Sequence, residues 1–225
     1  TLTYGYRACI YSASGELTSV NTASATALSP LNEGVTINFI GNKSYKMAIQ
    51  PGATGHDAEI KSGVFSDINA GQLDLLRIGR NIAFISEFQY RTLISFNVAD
   101  IPNDATVSKA TLNIYHYQDG DNGNNLIETV LYSTLPFDEK TVTHENAPLR
   151  VTEIANTRVH FTGWYSFGDN PSMNNYVMST INSSDIVAFR LAGFANQQIS
   201  FKKFHSSEYN VASLRPYFEI YFTIP

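Results

Sequence analysis

A chain of 225 residues, 43% hydrophobic and 16% charged, is long enough to hide roughly 70% of its extended surface in one β domain, which excludes intrinsic disorder. Fifteen Lys and Arg against 20 Asp and Glu leave a net charge of −5, without the basic excess a phosphate backbone requires, so nucleic acid is excluded as a partner. The single cysteine excludes an internal disulfide framework and a thiolate-rich zinc site. No apolar run approaches the ~18 residues that span a bilayer, and the first residues lack a signal-peptide pattern, so membrane insertion is not expected. The chain begins at Thr1 rather than Met, from which an upstream segment removed by processing or truncation is expected. Ser, Thr and Asn make up about a quarter of the residues, a hydroxyl- and amide-rich composition that fits an extracellular β protein.

Residues 1–45 read as an N-terminal β extension or the end of a preceding domain, and residues 46–225 as the main domain. The extension holds strands near Leu2–Tyr11 and Val35–Ile40, joined by the Ser-, Thr- and Ala-rich stretch Ser19–Ser29. Cys9 sits in a strand-like alternation and reads as a buried structural thiol. Further strands are expected near Leu73–Ile78, Arg91–Val98, Ala110–Tyr117, Leu126–Ser133, Ile186–Leu191, Ile199–Phe204 and Leu214–Thr223. Turn chemistry separates them at Ile101-Pro102-Asn103-Asp104, at 119–125, and at Gly168-Asp169-Asn170-Pro171. One short helix is expected after Asn170, with Pro171 at its first position and Met173, Tyr176, Val177, Thr180 and Ile181 recurring every three or four residues. Many short strands and one helix predict an all-β sandwich of two antiparallel sheets, with the helix plugging one end.

From Ile49 onward the phrases fall in a specific order. Asp57-Ala58-Glu59-Ile60 precedes Leu76-Arg77-Ile78-Gly79, Arg91 to Val98, Ile101-Pro102 and Ala105 to Leu112. Trp164-Tyr165-Ser166-Phe167, Phe189-Arg190-Leu191, Phe204 to Glu208 and Leu214-Arg215-Pro216 follow. The succession resembles the DNRLRE family, which includes the disaggregatase repeats and the modules classed as carbohydrate-binding module family 96. That resemblance implies a jelly-roll sandwich on secreted or cell-surface proteins, beside enzymes that cut acidic polysaccharides, binding glycan without cleaving it. Phe137 and His144 stand where the family often has Trp, and residues 1–45 inherit nothing from it.

A sandwich holds sugars by stacking rings on pyranose faces and by offering guanidinium forks to carboxylates. Alternation places Tyr115 and Tyr117 on one face with Thr111 and Asn113, and Tyr217 and Tyr221 on one face with Arg215 and Glu219. Arg190, Lys202, Lys203 and Arg215 supply local positive charge, as an anionic polymer requires. The carbohydrate-binding set is therefore Tyr115, Tyr117, Arg190, Lys202, Arg215 and Tyr217. The competing readings are tyrosines that cover a wet sheet face and cations paired with Glu208 and Glu219. Gly163-Trp164-Tyr165 reads as a strand entering the core, with a stacking rim as the alternative, and His116, on an apolar face, as a hydrogen-bonded core histidine.

For a structural Ca²⁺ two sites compete: the loop of Asp119, Asp121, Asn122 and Asn124, and the pair Asp57 and Glu208, in phrases the family shares. A flexible hairpin tip and a buried polar network are the respective alternatives. Neither a Gly-x-Ser-x-Gly elbow nor a Walker loop is present, and pairs such as Asp138 with Glu139 face opposite sides of a strand, so catalysis is not expected. The expectation is a non-catalytic carbohydrate-binding module that attaches a secreted or cell-surface protein, with flanking domains, to an acidic polysaccharide. The alternative is a structural spacer or adhesion repeat with no glycan ligand.

Overall fold

The computed structural model describes residues 34–51, 56–83, 86–120, 125–194 and 199–225, and the backbone of two strands nearer the N-terminus. These two, β1 (Tyr4–Tyr11) and β2 (Leu17–Ala25), pair as an antiparallel hairpin inside a unit spanning Thr1–Asn32. Strand β2 takes up much of the stretch expected to be a connection, where Thr18, Val20 and Thr22 supply β-branched residues at every second position. The side chain of Cys9, and Asp121, Asn122 and Asn124 of the proposed calcium loop, lie outside the described residues.

The second unit, Glu33–Pro225, holds the remaining strands. In chain order these are β3 (Val35–Gly41), β4 (Ser44–Ile49), β5 (His56–Lys61), β6 (Leu75–Ala83), β7 (Ser86–Asn97), β8 (Thr106–Asp119) and β9 (Ile127–Ser133). After them come β10 (Glu153–Val159), β11 (Gly163–Gly168), the helix α1 (Pro171–Ile181), β12 (Ile186–Phe194), β13 (Ser200–His205) and β14 (Tyr217–Thr223). Strands β3 and β4, which straddle residue 45, join the main sheet because β4 pairs with the last strand.

All pairings are antiparallel and run through two long strands that each serve two neighbours along one edge. Strand β7 pairs with β6 over residues 86–90 and with β12 over residues 91–97, while β5 takes its other edge. Strand β8 pairs with β14 over residues 106–113 and with β13 from residue 116 on, while β11 takes its other edge. One layer is therefore β10-β9-β12-β7-β5, the other β11-β8-β14-β4-β3, and the β6-β13 pair bridges them into one 12-stranded sheet. The expected all-β sandwich with one short helix is the observed architecture.

The layers meet through phenylalanines. Phe218 of β14 stacks on Phe96 of β7 with ring centroids 5.3 Å apart and meets the edge of Phe189 of β12 at 5.4 Å. Period two sorts the strands that have one wet face: β14 buries Phe218, Ile220 and Phe222 and turns Tyr217, Glu219 and Tyr221 outward. Strand β8 buries Ala110, Leu112, Ile114 and His116, the last with its Nδ1–H donated to Phe161 O at 2.8 Å, as a core histidine should be. Helix α1 starts where the sequence predicts, with Asn170 Oδ1 accepting the Met173 N–H at 2.9 Å, and it buries Met173, Val177 and Ile181 in the same core.

Gly79 is fixed by close approach. Its φ is +116°, and a Cβ there would lie 2.3 Å from the Ser200 carbonyl oxygen on β13. Gly79→Ala is expected to lower stability by more than ~1 kcal/mol in urea unfolding, and wild-type stability in that variant would show that the bridge tolerates a side chain.

Candidate functional site

The outer side of the β11-β8-β14 layer carries a continuous run of rings. Register places Tyr115 opposite Trp164, and Asn113 between Ser166 and Tyr217. Trp164 meets Tyr115 edge-on at 5.4 Å and Tyr217 at 5.2 Å. Beyond Tyr115, the His205 ring lies parallel to Tyr115 at 5.7 Å, to Tyr117 at 4.4 Å and to Tyr209 at 3.5 Å. Burial lowers the pKa of His205, so a neutral imidazole fills this stack. Ser166 donates to Asn113 Oδ1 at 2.6 Å, which gives the face a polar floor.

Tyr115, Tyr117 and Tyr217 thus share one face, as alternation predicts. Arg215 stands two residues before Tyr217, with its Nε–H donated to Tyr209 O at 2.6 Å. Trp164 corrects the reading that sent it into the core: it is 41% exposed, because Tyr165 and Phe167 take the inward positions of β11. The alternation of Trp164 and Ser166 with Tyr165 and Phe167 was the signal. Tyr209 was missed because it lies in a loop without periodicity.

Two cations of the expected set lie elsewhere. Lys202 is 1% exposed, with Nζ 2.5 Å from Asp119 Oδ1 and 3.2 Å from His160 O, so it is not available to a ligand. It shares the inward face of β13 with Phe204, and the ion pair with Asp119 makes that burial tolerable. Arg190 belongs to the opposite layer. It alternates with the core residues Phe189 and Leu191, so it faces away from the core on the side remote from Tyr217. The expected single site is therefore divided between two outer faces.

On Arg190's face three guanidinium groups gather without a carboxylate within ion-pair distance among the described residues: Arg91, Arg150 and Arg190. Arg91 donates to His144 Nε2 at 2.9 Å, Arg150 to Tyr132 Oη at 3.4 Å, and Arg190 to Pro148 O at 2.9 Å. Burial and the charges of Arg91 and Arg150 push the Arg190 guanidinium down to about 10. Burial, with the Arg91 and Arg190 charges, lowers the His144 pKa too, so the imidazole is a neutral acceptor that holds Arg91. His144 thereby orients a cation. A cavity of about 310 Å³ opens beside this group, lined by Arg80, Gln89, Tyr90, Arg91, Arg150 and Phe194.

Asp57 and Glu208, expected to meet across the sandwich, do meet, and Glu139 joins them. Carboxylate oxygens of all three lie within 4.8 Å of one another. Ser207 donates its backbone N–H to Asp57 at 2.8 Å and its hydroxyl to Glu208 at 2.8 Å, and His56 Nδ1 stands 3.3 Å from Glu139. Burial, then the Glu208 charge, raises the carboxyl pKa of both Asp57 and Glu139. Nothing local in the sequence around Glu139 points to this contact, since the residue stands out there only beside Asp138 as a conceivable catalytic acid.

Rings on one outer side of the sandwich and guanidinium groups on the other are side chains of the kinds that stack on sugar rings and pair with carboxylates. The model of carbohydrate-binding module family 96 matches residues 49–220, and the chain belongs to that family. The matched span runs from the end of β4 to the middle of β14, so it takes in both faces and the acidic cluster. No curated protein matches the chain.

Proposed function

We propose that the chain is a non-catalytic module that fastens a secreted or cell-surface protein to an anionic polysaccharide, with Arg91, Arg150 and Arg190 receiving the polymer's carboxylate or sulfate groups. The observation that carries this is the gathering of three guanidinium groups with no carboxylate within ion-pair distance among the described residues, beside an open cavity. Mutual repulsion there works against folding, and an anion relieves it through charge-assisted forks. The net charge of −5 is compatible, because the positive field is local. No helix among the described residues is long and apolar enough to cross a membrane.

A second reading is supported by Trp164, exposed between Tyr115 and Tyr217: a ring platform that takes sugar faces irrespective of charge. Affinity electrophoresis against a polyuronate, a sulfated glycan and a neutral glucan separates the readings. Arg150→Gln, at an exposed side chain, is expected to weaken polyuronate retention about tenfold, and added salt should weaken the wild type similarly. Trp164→Ala should leave that retention unchanged. Equal retention on the neutral glucan, lost in Trp164→Ala and kept in Arg150→Gln, would replace the arginine site by the ring platform. Retention on none would make the module a spacer.

A further inference from the structure

We infer that Asp57, Glu139 and Glu208 form a binding site for calcium that ties three distant parts of the family domain together. Asp57 comes from β5, Glu139 from the connection between β9 and β10, and Glu208 from the segment after β13. The oxygens lie within 4.8 Å of one another, a separation that two calcium–oxygen bonds of about 2.4 Å span. Asp57 is 1% exposed and Glu139 8%, and each keeps a buried carboxylate oxygen with no hydrogen-bond partner. Glu208 has one as well.

Orphaned buried oxygens separate this group from an ordinary acidic patch. Three carboxylates at this distance repel strongly, and water does not reach their unpartnered atoms to screen them. The compensation the chain itself provides is small: the Ser207 N–H on Asp57, the Ser207 hydroxyl on Glu208, and the His56 ring beside Glu139. No Lys or Arg forms an ion pair with any of the three among the described residues. A divalent cation would take up the free lone pairs and cancel most of the charge in one step. Donors that are all oxygen favour a hard cation over zinc. Calcium accepts the irregular geometry of carboxylates drawn from three separate segments, whereas magnesium demands bonds of about 2.0–2.1 Å in a near-ideal octahedron.

Because the donors meet only in the folded chain, the bound ion stabilises it by mass action. The test is thermal unfolding of the full chain, first stripped with a chelator, without and with excess calcium and in the absence of any glycan. The expected result is an upward shift of roughly 5–10 °C in wild type. Glu139→Gln should lose that shift, and Glu145→Gln, at an exposed acid outside the group, should keep it. Glu208→Gln serves if Glu139→Gln does not fold. An unchanged melting temperature in wild type, with no heat on calcium titration, would overturn the site, as would a Glu139→Gln or Glu208→Gln variant that responds like wild type. Since no sugar is present, either outcome leaves the arginine site to its own test.

Discussion

Phe218→Ala is expected to remove about 3–5 kcal/mol of folding free energy, the largest effect foreseen for one substitution. The ring is fully buried where the two layers touch, stacked on Phe96 and edge-on to Phe189, so its loss opens a cavity that both layers line. Neither neighbour can collapse into the gap, because each is pinned in a strand whose register is set by partners on both edges. Against a typical total of 5–15 kcal/mol this leaves the variant marginal. Urea unfolding followed by tryptophan fluorescence measures it, since the Trp164 ring meets that of Tyr217, the residue beside Phe218, at 5.2 Å. A loss under ~1 kcal/mol would mean that the layers are not held together at this contact.

The second large effect concerns a buried ion pair. Arg77 reaches fully buried Glu59 with two bonds, Nε to Oε2 at 2.5 Å and Nη2 to Oε1 at 2.8 Å, while its guanidinium lies 4.3 Å from the Tyr90 ring centre. Arg77→Met leaves Glu59 with Lys61, 3.3 Å away, as its one remaining ion-pair partner among the described residues, and should cost about 3–5 kcal/mol. The double variant Glu59→Leu with Arg77→Met should recover most of that, because the penalty comes from a stranded charge rather than from the worth of the pair. Failure of the double variant to recover would show that Arg77 acts through its stacking on Tyr90 instead.

These two results concern the scaffold, and they explain how the phrases that first suggested the family relate to function. Leu76-Arg77-Ile78-Gly79 is structural: two core residues, the partner of Glu59, and the glycine that admits β13. Phe189-Arg190-Leu191 mixes the two roles, with core on either side of a cation that faces outward. A shared phrase therefore marks the fold first, and the ligand only where alternation turns a residue away from the core.

Strand identity was legible from period two, because side chains on a strand must alternate between core and water. Tyr115, Tyr117 and Tyr217 were placed on their shared face by that rule, and Asn170-Pro171 announced the helix through cap chemistry. Strands β4, β5 and β10 are not anticipated, being short and mixed in polarity, and β2 reads as a connection. The same rule turns Trp164 outward once Tyr165 and Phe167 take the inward positions of β11, and it leaves open which side of β13 is inward, hence the error at Lys202.

Local spacing thus dictated strands, turns, helix cap and the polarity of each strand face, since these depend on neighbours a few residues away. Which faces come together depended on pairing between strands at opposite ends of the domain, such as β4 with β14, where Ser44 meets Thr223. Layer assignment separated Arg190 from the tyrosines, and chain crossings brought Glu139 to Asp57 and Glu208. No periodicity encodes those meetings, because they arise from the order in which the sheet closes and not from any segment's own preference.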